Sequence, residues 1–451
     1  MRKIFCILLI LFVFLMSFNF SYAQQQKISK EDDFVILARE FVDLLSKGNF
    51  LEATKNFNNQ MKSVSSGKLR GLWETLTRQL GDFKNQGSVR TIRHQQYHIV
   101  FVTCKFEKSF IDVKIVFNSA RLIAGLFFVP SKPVVHYYHP GYIKSGSFKE
   151  KEVTVGKGEW AIPGTLTIPT GKGPFPAIIF IHGSGPHDRD ETLGPNKPFR
   201  DLSWGLASQG VANLRYDKRT KVHTAKFGPI KDNITVKEEV IDDALAAVSL
   251  LRGAQGIDTK RIFLLGHSLG GMLIPRIGLL DSDIAGFIVM AGSTRPLEDV
   301  YLEQVSYIFS LDGTISEDEK MQLEQIKAQV TRVKDPQLSE STPSANLPLG
   351  VSAEYWLDLR GYNPAELAEN LRQPMLILQG ARDYQVTLDD FQIWEKVLSS
   401  RENVQFKIYP KLNHLFIEGE ERSTPEEYLT AGHVAEVVID DIANWVKKQV
   451  L

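Results

Sequence analysis

Ser268 lies in the run Leu264-Leu265-Gly266-His267-Ser268-Leu269-Gly270-Gly271, a spacing suited to a nucleophilic hydroxyl. A Gly-x-Ser-x-Gly turn between a strand and a helix crowds neighbouring backbone, so residues lacking a Cβ are needed around the serine, whose hydroxyl is left free at the tip. A serine hydroxyl is a weak nucleophile and needs a base within hydrogen-bond reach, itself oriented by an acid. When the serine sits on such an elbow, the acid and then the histidine follow it on loops after later strands. Met375–Leu378 runs into Gln379-Gly380-Ala381-Arg382-Asp383, and Val404–Tyr409 runs into Pro410-Lys411-Leu412-Asn413-His414. Asp383 and His414 are thus expected at strand ends, and with Ser268 they would perform acyl transfer.

Two other carboxylates compete for the role of acid. Asp389 and Asp390 follow Thr387 in what reads as a first helical turn, where carboxylates stabilise a helix start. His433 is expected inside the last helix as a structural residue. Acyl transfer also needs donors for the oxygen that becomes negative. The glycine-rich His182-Gly183-Ser184-Gly185-Pro186 follows a long apolar run, so the backbone N–H groups of Ser184 and Leu269 are the candidate oxyanion donors. Tyr355 and Trp356 are candidates either for the acyl or alcohol pocket or for ordinary core packing. Arg215–Arg219 reads as a salt-bridged scaffold beneath the loops. His136 and His139 lack further ligands nearby, and no His-Glu-x-x-His, paired Cys-x-x-Cys or Gly-x-x-x-x-Gly-Lys motif occurs, so no metal or organic cofactor is implied.

These residues require a parallel sheet to hold them. Apolar strands are predicted at Ala177–Ile181, Val211–Arg215, Arg261–Leu265, Gly286–Met290, Met375–Leu378 and Val404–Tyr409. An antiparallel opening precedes them at Glu152–Val155 and Gly164–Ile168. Helices are predicted at Phe199–Ser208, Lys237–Leu251, Leu269–Leu280, Asp389–Ser399 and His433–Lys448. Continuous apolar strands alternating with amphipathic helices imply a mostly parallel sheet covered on both faces. The alternation stops between residues 295 and 355, where a cap insertion with a polar helix at Glu317–Val333 is expected. Residues 30–130 read differently, as two helices followed by β-rich segments, which predicts a small α+β domain with an antiparallel sheet. A proline-bounded linker over 131–150 joins it to a catalytic domain over 151–451.

Residues 150–451 resemble the α/β-hydrolase superfamily and, within it, the bacterial esterase D-like carboxylesterases. The likeness is carried by His182–Pro186 with Asp188-Arg189-Asp190, by Arg215-Tyr216-Asp217-Lys218-Arg219, by Gly266–Gly271 and by Trp356–Pro364. A small N-terminal domain of unknown function is also similar to that group. The resemblance implies Ser268, Asp383 and His414 as the triad and carboxylic esters as substrates; segment 295–355 is not matched.

Composition sets outer bounds. Of 451 residues, 43% are hydrophobic and 24% charged, as in a globular protein of more than one domain. Arg2 and Lys3, the apolar run Ile4 to Phe20 and the small-residue site Ser21-Tyr22-Ala23 form the layout of a secretory signal peptide over 1–23, with an uncleaved anchor as the alternative. Cleavage would remove Arg2 and Lys3 from 53 basic residues, leaving 51 against 53 acidic ones. No basic excess remains to hold nucleic acid. It would also remove Cys6 and leave Cys104 alone, so no internal disulfide can form. The expectation is an exported serine carboxylesterase with no membrane span after cleavage. Its N-terminal domain is a candidate for contact with a partner or glycan. The rival readings are a serine peptidase and a non-catalytic envelope-binding protein.

Overall fold

Within residues 137–449, strands whose central members are apolar on both faces assemble into one eight-stranded sheet. The computed structural model describes residues 33–94, 96–107, 109–131, 137–230 and 234–449. The expected signal segment and His136 lie outside the described residues. Two compact units divide between His136 and Tyr137.

The first unit opens with helices α1 (Asp33–Ser46) and α2 (Ser66–Leu80). A four-stranded antiparallel meander follows: β1 (Phe83–His94), β2 (Tyr97–Phe106), β3 (Phe110–Phe117) and β4 (Ile123–Pro130). The side-chain alternation of a strand sends Val100, Val102 and Cys104 to the helix side, where they pack with Phe41, Leu45 and Trp73. On the other face the register places Arg90, Phe101, Lys114 and Phe127 in one row across the sheet. Arg90 lies 3.5 Å over the Phe101 ring and Lys114 lies 5.1 Å over that of Phe127.

In the second unit β5 (Phe148–Val155) pairs antiparallel with β6 (Ile162–Pro169), which pairs antiparallel with β8 (Ala212–Tyr216). The other pairings are parallel: β8 with β7 (Phe175–Ile181), β7 with β9 (Ile257–His267), β9 with β10 (Gly286–Met290), β10 with β11 (Met375–Gly380) and β11 with β12 (Val404–Tyr409). The spatial order is β5-β6-β8-β7-β9-β10-β11-β12. Helices α3 (Pro198–Ser208), α4 (Asp242–Arg252), α5 (Leu269–Leu280), α9 (Leu388–Leu398) and α10 (Glu436–Lys448) cover the sheet. Ile178, Phe180, Phe263 and Leu265 face α3 and α10, while Ile179, Ile181 and Leu264 face α4 and α5. Two dry layers therefore lie on opposite sides of the same strands.

The cap contains α6 (Leu297–Ser310), α7 (Glu317–Lys334) and α8 (Ala353–Leu359). Of these, α6 has no counterpart in the sequence reading. Buried Asp390 fixes the start of the cap: it accepts the N–H groups of Thr294 and Arg295 at 2.8 and 3.0 Å and pairs with the Arg295 guanidinium at 2.7 Å. At the far end Arg276, on α5, holds Asp358 at 2.9 Å.

Three expectations need correction. Residues 137–147, read as linker, dock onto the catalytic unit, because Tyr142 donates to the Val434 carbonyl at 2.8 Å and Tyr137 to Asp201; β5 then begins at Phe148, before residue 151. His433 precedes α10 rather than lying inside it, its Nδ1 bonded to Asp201 at 3.1 Å. The first turn of the helix expected from Lys237 is a π-turn, Lys237–Ile241. Among the described residues no helix is long and apolar enough to cross a membrane.

Candidate active site

The β9 strand ends at His267 and α5 begins at Leu269, leaving Ser268 alone at the turn with φ 53° and ψ −118°. A non-glycine residue rarely adopts that conformation, so the turn stores strain that the surroundings must hold. They hold it by crowding. A Cβ on Gly266 would meet the Gly270 carbonyl oxygen at 2.3 Å, and one on Gly270 would meet that of Ile181 at 2.3 Å. The Ser268 N–H is tied to the Met290 carbonyl at 2.9 Å. Ser268 is half-buried between the buried His267 and Leu269.

Asp383 and His414 come together from the ends of adjacent strands. The His414 Nδ1 is 2.6 Å from Asp383 Oδ2, and both residues are buried. The other Asp383 oxygen accepts the N–H groups of Gln385 at 2.7 Å and Val386 at 3.1 Å, and Gln379 donates to Oδ2 at 3.2 Å. The Asn413 side chain accepts the N–H groups of Leu415 and Ile417 at 3.0 and 3.1 Å and so fixes the turn that carries His414. Asp390 is engaged with Arg295 of the cap, and the carboxylate on His414 Nδ1 is that of Asp383. The serine turn meets the histidine loop through its neighbour: His267 Nε2 is 2.9 Å from the His414 carbonyl oxygen, with the two rings 4.6 Å apart.

The loop after β7 lies against the elbow. A Cβ on Gly183 would be 3.2 Å from that of Ser268. Both polar groups of Gly183 are held: its N–H donates to Glu191 Oε1 at 2.7 Å, and its carbonyl accepts from Lys218 Nζ at 2.8 Å. Among the described residues no acceptor takes up the N–H of Ser184 or of Leu269. The second Glu191 oxygen is 2.9 Å from His267 Nδ1. Burial pushes the Glu191 carboxyl up, but the facing His267 charge outweighs that and holds it down to about 2. For His267 burial opposes the charge, and Glu191 reverses the balance and raises it above its ordinary value. Burial keeps His182 neutral, pushed down to about 3.

Sequence reading missed Glu191 and His267 as residues that build the site and, within the expected Arg215–Arg219 scaffold, missed the hold of Lys218 on Gly183. The only signal was their place in the charged run after Gly183, in Arg215–Arg219 and beside Ser268. Arg215–Arg219 is the ion-paired scaffold expected. Arg215 pairs with Asp190 and Glu150, Asp217 with Arg189 at 3.2 Å, Lys218 with Glu239 at 2.5 Å, and Arg219 with Asp243.

The pocket reading of Tyr355 and Trp356 is not supported by their placement. Trp356 is 1% exposed and fills the cap's own core with Val333, Leu338 and Leu347. Tyr355 is buried against the sheet layer, and its hydroxyl donates to Glu239 Oε2 at 2.8 Å. An apolar cluster beside the acid and histidine is formed instead by Tyr384, Leu415, Tyr428, Leu193 and, from α6, Tyr301 and Phe309. Among the described residues no group of three or more His, Cys, Asp or Glu is arranged to hold a metal.

A serine on a strand-to-helix elbow, with an acid and a histidine after later parallel strands, defines the α/β-hydrolase class of serine hydrolases. Residues 176–421 match the family described as serine aminopeptidase, S33, and residues 38–126 match a family of unknown function, DUF3887. Esterase EstD of Thermotoga maritima is 42% identical over 410 residues, 90% of this chain and 94% of that one. Among solved structures, Est1E from Butyrivibrio proteoclasticus aligns with TM-score 0.43 and 16% identity, over 66% of this chain and 98% of that one. The acylaminoacyl peptidase of Pyrococcus horikoshii aligns with TM-score 0.47 and 14% identity, over 81% and 56%. The chain belongs to the α/β-hydrolase superfamily and, within it, to the esterase D-like group that carries a DUF3887 domain at its N-terminus.

Proposed function

We propose that the protein is an exported serine carboxylesterase that cleaves short- to medium-chain carboxylic esters through Ser268, His414 and Asp383. The observation that carries this reading is the 2.6 Å contact between His414 Nδ1 and Asp383, next to the strained serine turn. With Nδ1 donating to the carboxylate, Nε2 is left as the base. It takes the Ser268 proton as the serine oxygen bonds to the ester carbonyl carbon and the carbonyl π electrons move onto oxygen. The N–H groups of Ser184 and Leu269, the latter at the positive end of α5, stabilise that oxygen. His414 then gives its proton to the leaving alcohol. Water, deprotonated by His414, attacks the acyl carbon, and as the bond to Ser268 breaks His414 returns the proton to the serine oxygen and the acid is released. Asp383 orients the imidazole and stabilises its charged form.

The 42% identity to an esterase along nearly the whole chain supports ester rather than amide substrates. Export rests on the layout of residues 1–23 and is tested by locating the mature N-terminus in secreted and cell fractions. The activity is tested with p-nitrophenyl esters of increasing acyl length alongside aminoacyl anilides, on wild type and Ser268→Ala. Serine-dependent ester cleavage is expected. Faster anilide cleavage, lost in the variant, would reverse the assignment in favour of a peptidase. No labelling of Ser268 by a fluorophosphonate would remove the nucleophile from the argument.

A further inference from the structure

The proposed oxyanion donor, Ser184 N–H, belongs to the same peptide unit as the Gly183 carbonyl. In a trans peptide those two groups point in opposite directions, so whatever fixes the carbonyl also aims the N–H. The group on that carbonyl is a charged one. Lys218 Nζ donates to it at 2.8 Å from the end of β8, and Lys218 is 2% exposed. A buried ammonium is costly without compensation. Here Glu239 supplies it at 2.5 Å, and the other Glu239 oxygen accepts from Tyr355 of the cap at 2.8 Å. On the opposite side of Gly183, its own N–H is fixed by Glu191 at 2.7 Å. The glycine is therefore held at both of its polar groups by buried charged side chains.

We propose that Lys218 is a positioning residue of the oxyanion hole, clamping the Gly183–Ser184 peptide by its carbonyl so that the N–H faces the acyl oxygen at Ser268. The assignment rests on the esterase reading given above. A cation on the carbonyl also polarises the peptide, which strengthens the N–H as a donor in a chain of hydrogen bonds. The clamp acts where charge develops, so its loss should weaken binding of the tetrahedral state more than binding of the ester. Because Glu239 also holds Tyr355, the donor peptide is connected to α8 of the cap through three side chains.

The test pairs hydrolysis with a trifluoromethyl ketone. Ser268 adds to its carbonyl carbon, the π electrons move onto the oxygen and the serine proton passes to His414, giving a stable oxyanion. Lys218→Met combined with Glu239→Gln removes both buried charges together. We expect kcat/KM to fall about 10- to 100-fold, less than the loss of a whole donor, with KM changed no more than twofold. Ketone affinity should fall by the same factor as kcat/KM. Lys218→Gln, which keeps a donor without the charge, should lie between this variant and wild type, and it carries the test alone if the double variant fails to fold. A folded variant with unchanged kcat/KM, or one whose kcat/KM falls while ketone affinity holds, overturns the proposal. A wild type that neither binds the ketone nor depends on Ser268 overturns the esterase reading instead.

Discussion

Glu191→Gln removes one charge from the buried pair beneath the serine while keeping the shape and the acceptor for the Gly183 N–H. Its effect can be worked out from acidity. The carboxyl titrates at an ordinary 4.5 when unfolded and at about 2 in the folded protein. At about 1.4 kcal/mol per tenfold change, this corresponds to on the order of 3 kcal/mol of stability. Because the folded value is the lower one, the contribution is fully present above about pH 4.5 and is lost as pH falls toward 2. His267 has the opposite sign: its folded value is raised, so the pair's contribution is retained below 6.5 and fades as pH rises through the raised value. His182 and His187 beside Glu191, and Asp383 beside His267, also face the pair and are unchanged in the variant. Urea unfolding followed by tryptophan fluorescence reads this unit, since only Trp73 of the six tryptophans lies outside it. Near pH 6 the variant should be less stable by on the order of 3 kcal/mol, and the gap should shrink to about half by pH 3. Stability curves for wild type and variant that run parallel from pH 3 to 6 would refute the ion-pair argument.

Further outcomes follow from the same geometry. Gly270→Ala places a Cβ 2.3 Å from the Ile181 carbonyl, so the elbow must open, and kcat/KM should fall at least about 100-fold, with loss of fluorophosphonate labelling as the check. Asp383→Asn should lower kcat about 10⁴-fold by favouring the wrong imidazole tautomer, measured under saturating ester. Trp356→Ala, emptying the core of the cap, should cost about 3–5 kcal/mol of stability by urea titration rather than act through a substrate contact. Burial pushes the Cys104 thiol up to about 12, so Ellman's reagent should find no reactive thiol at pH 8 until the first unit unfolds.

The elbow and the two loops that face it could be read from the chain because their constraints are local. Gly266 and Gly270 are required by backbone crowding within a few residues, and Asp383 and His414 each follow closely on a segment readable as a strand, the apolar Met375–Gly380 and the alternating Val404–Tyr409. Glu191 and Lys218 could not be read, because their roles depend on partners brought in by folding: Lys218 is 35 residues from the carbonyl it holds. From the sequence Lys218 reads only as part of the salt-bridged Arg215–Arg219 run, with neither its partner nor its hold on Gly183 visible. Tyr355 and Trp356 are open in the sequence between a pocket wall and core packing, and the structure decides for the core. Aromatic residues near an insertion predict burial, but the choice between a pocket wall and the cap's own core is made by α6 and α7, and the first of these was not foreseen. Residues 137–147 read as linker because prolines and polar residues bound them, while two tyrosines determine where the segment docks.

The two stems of the cap reach different parts of the catalytic machinery. One is riveted to Asp390, on the helix downstream of the acid, and the other to Arg276, on the helix launched by the serine. A segment stapled at both ends cannot swing away as a door on one hinge, so admission of substrate would require bending between the staples, where α6 meets α7. A different stretch of chain carried between Arg295 and Asp358 would inherit both fastenings, and to leave the layer below intact it would have to keep Tyr355, which packs on the sheet and holds Glu239.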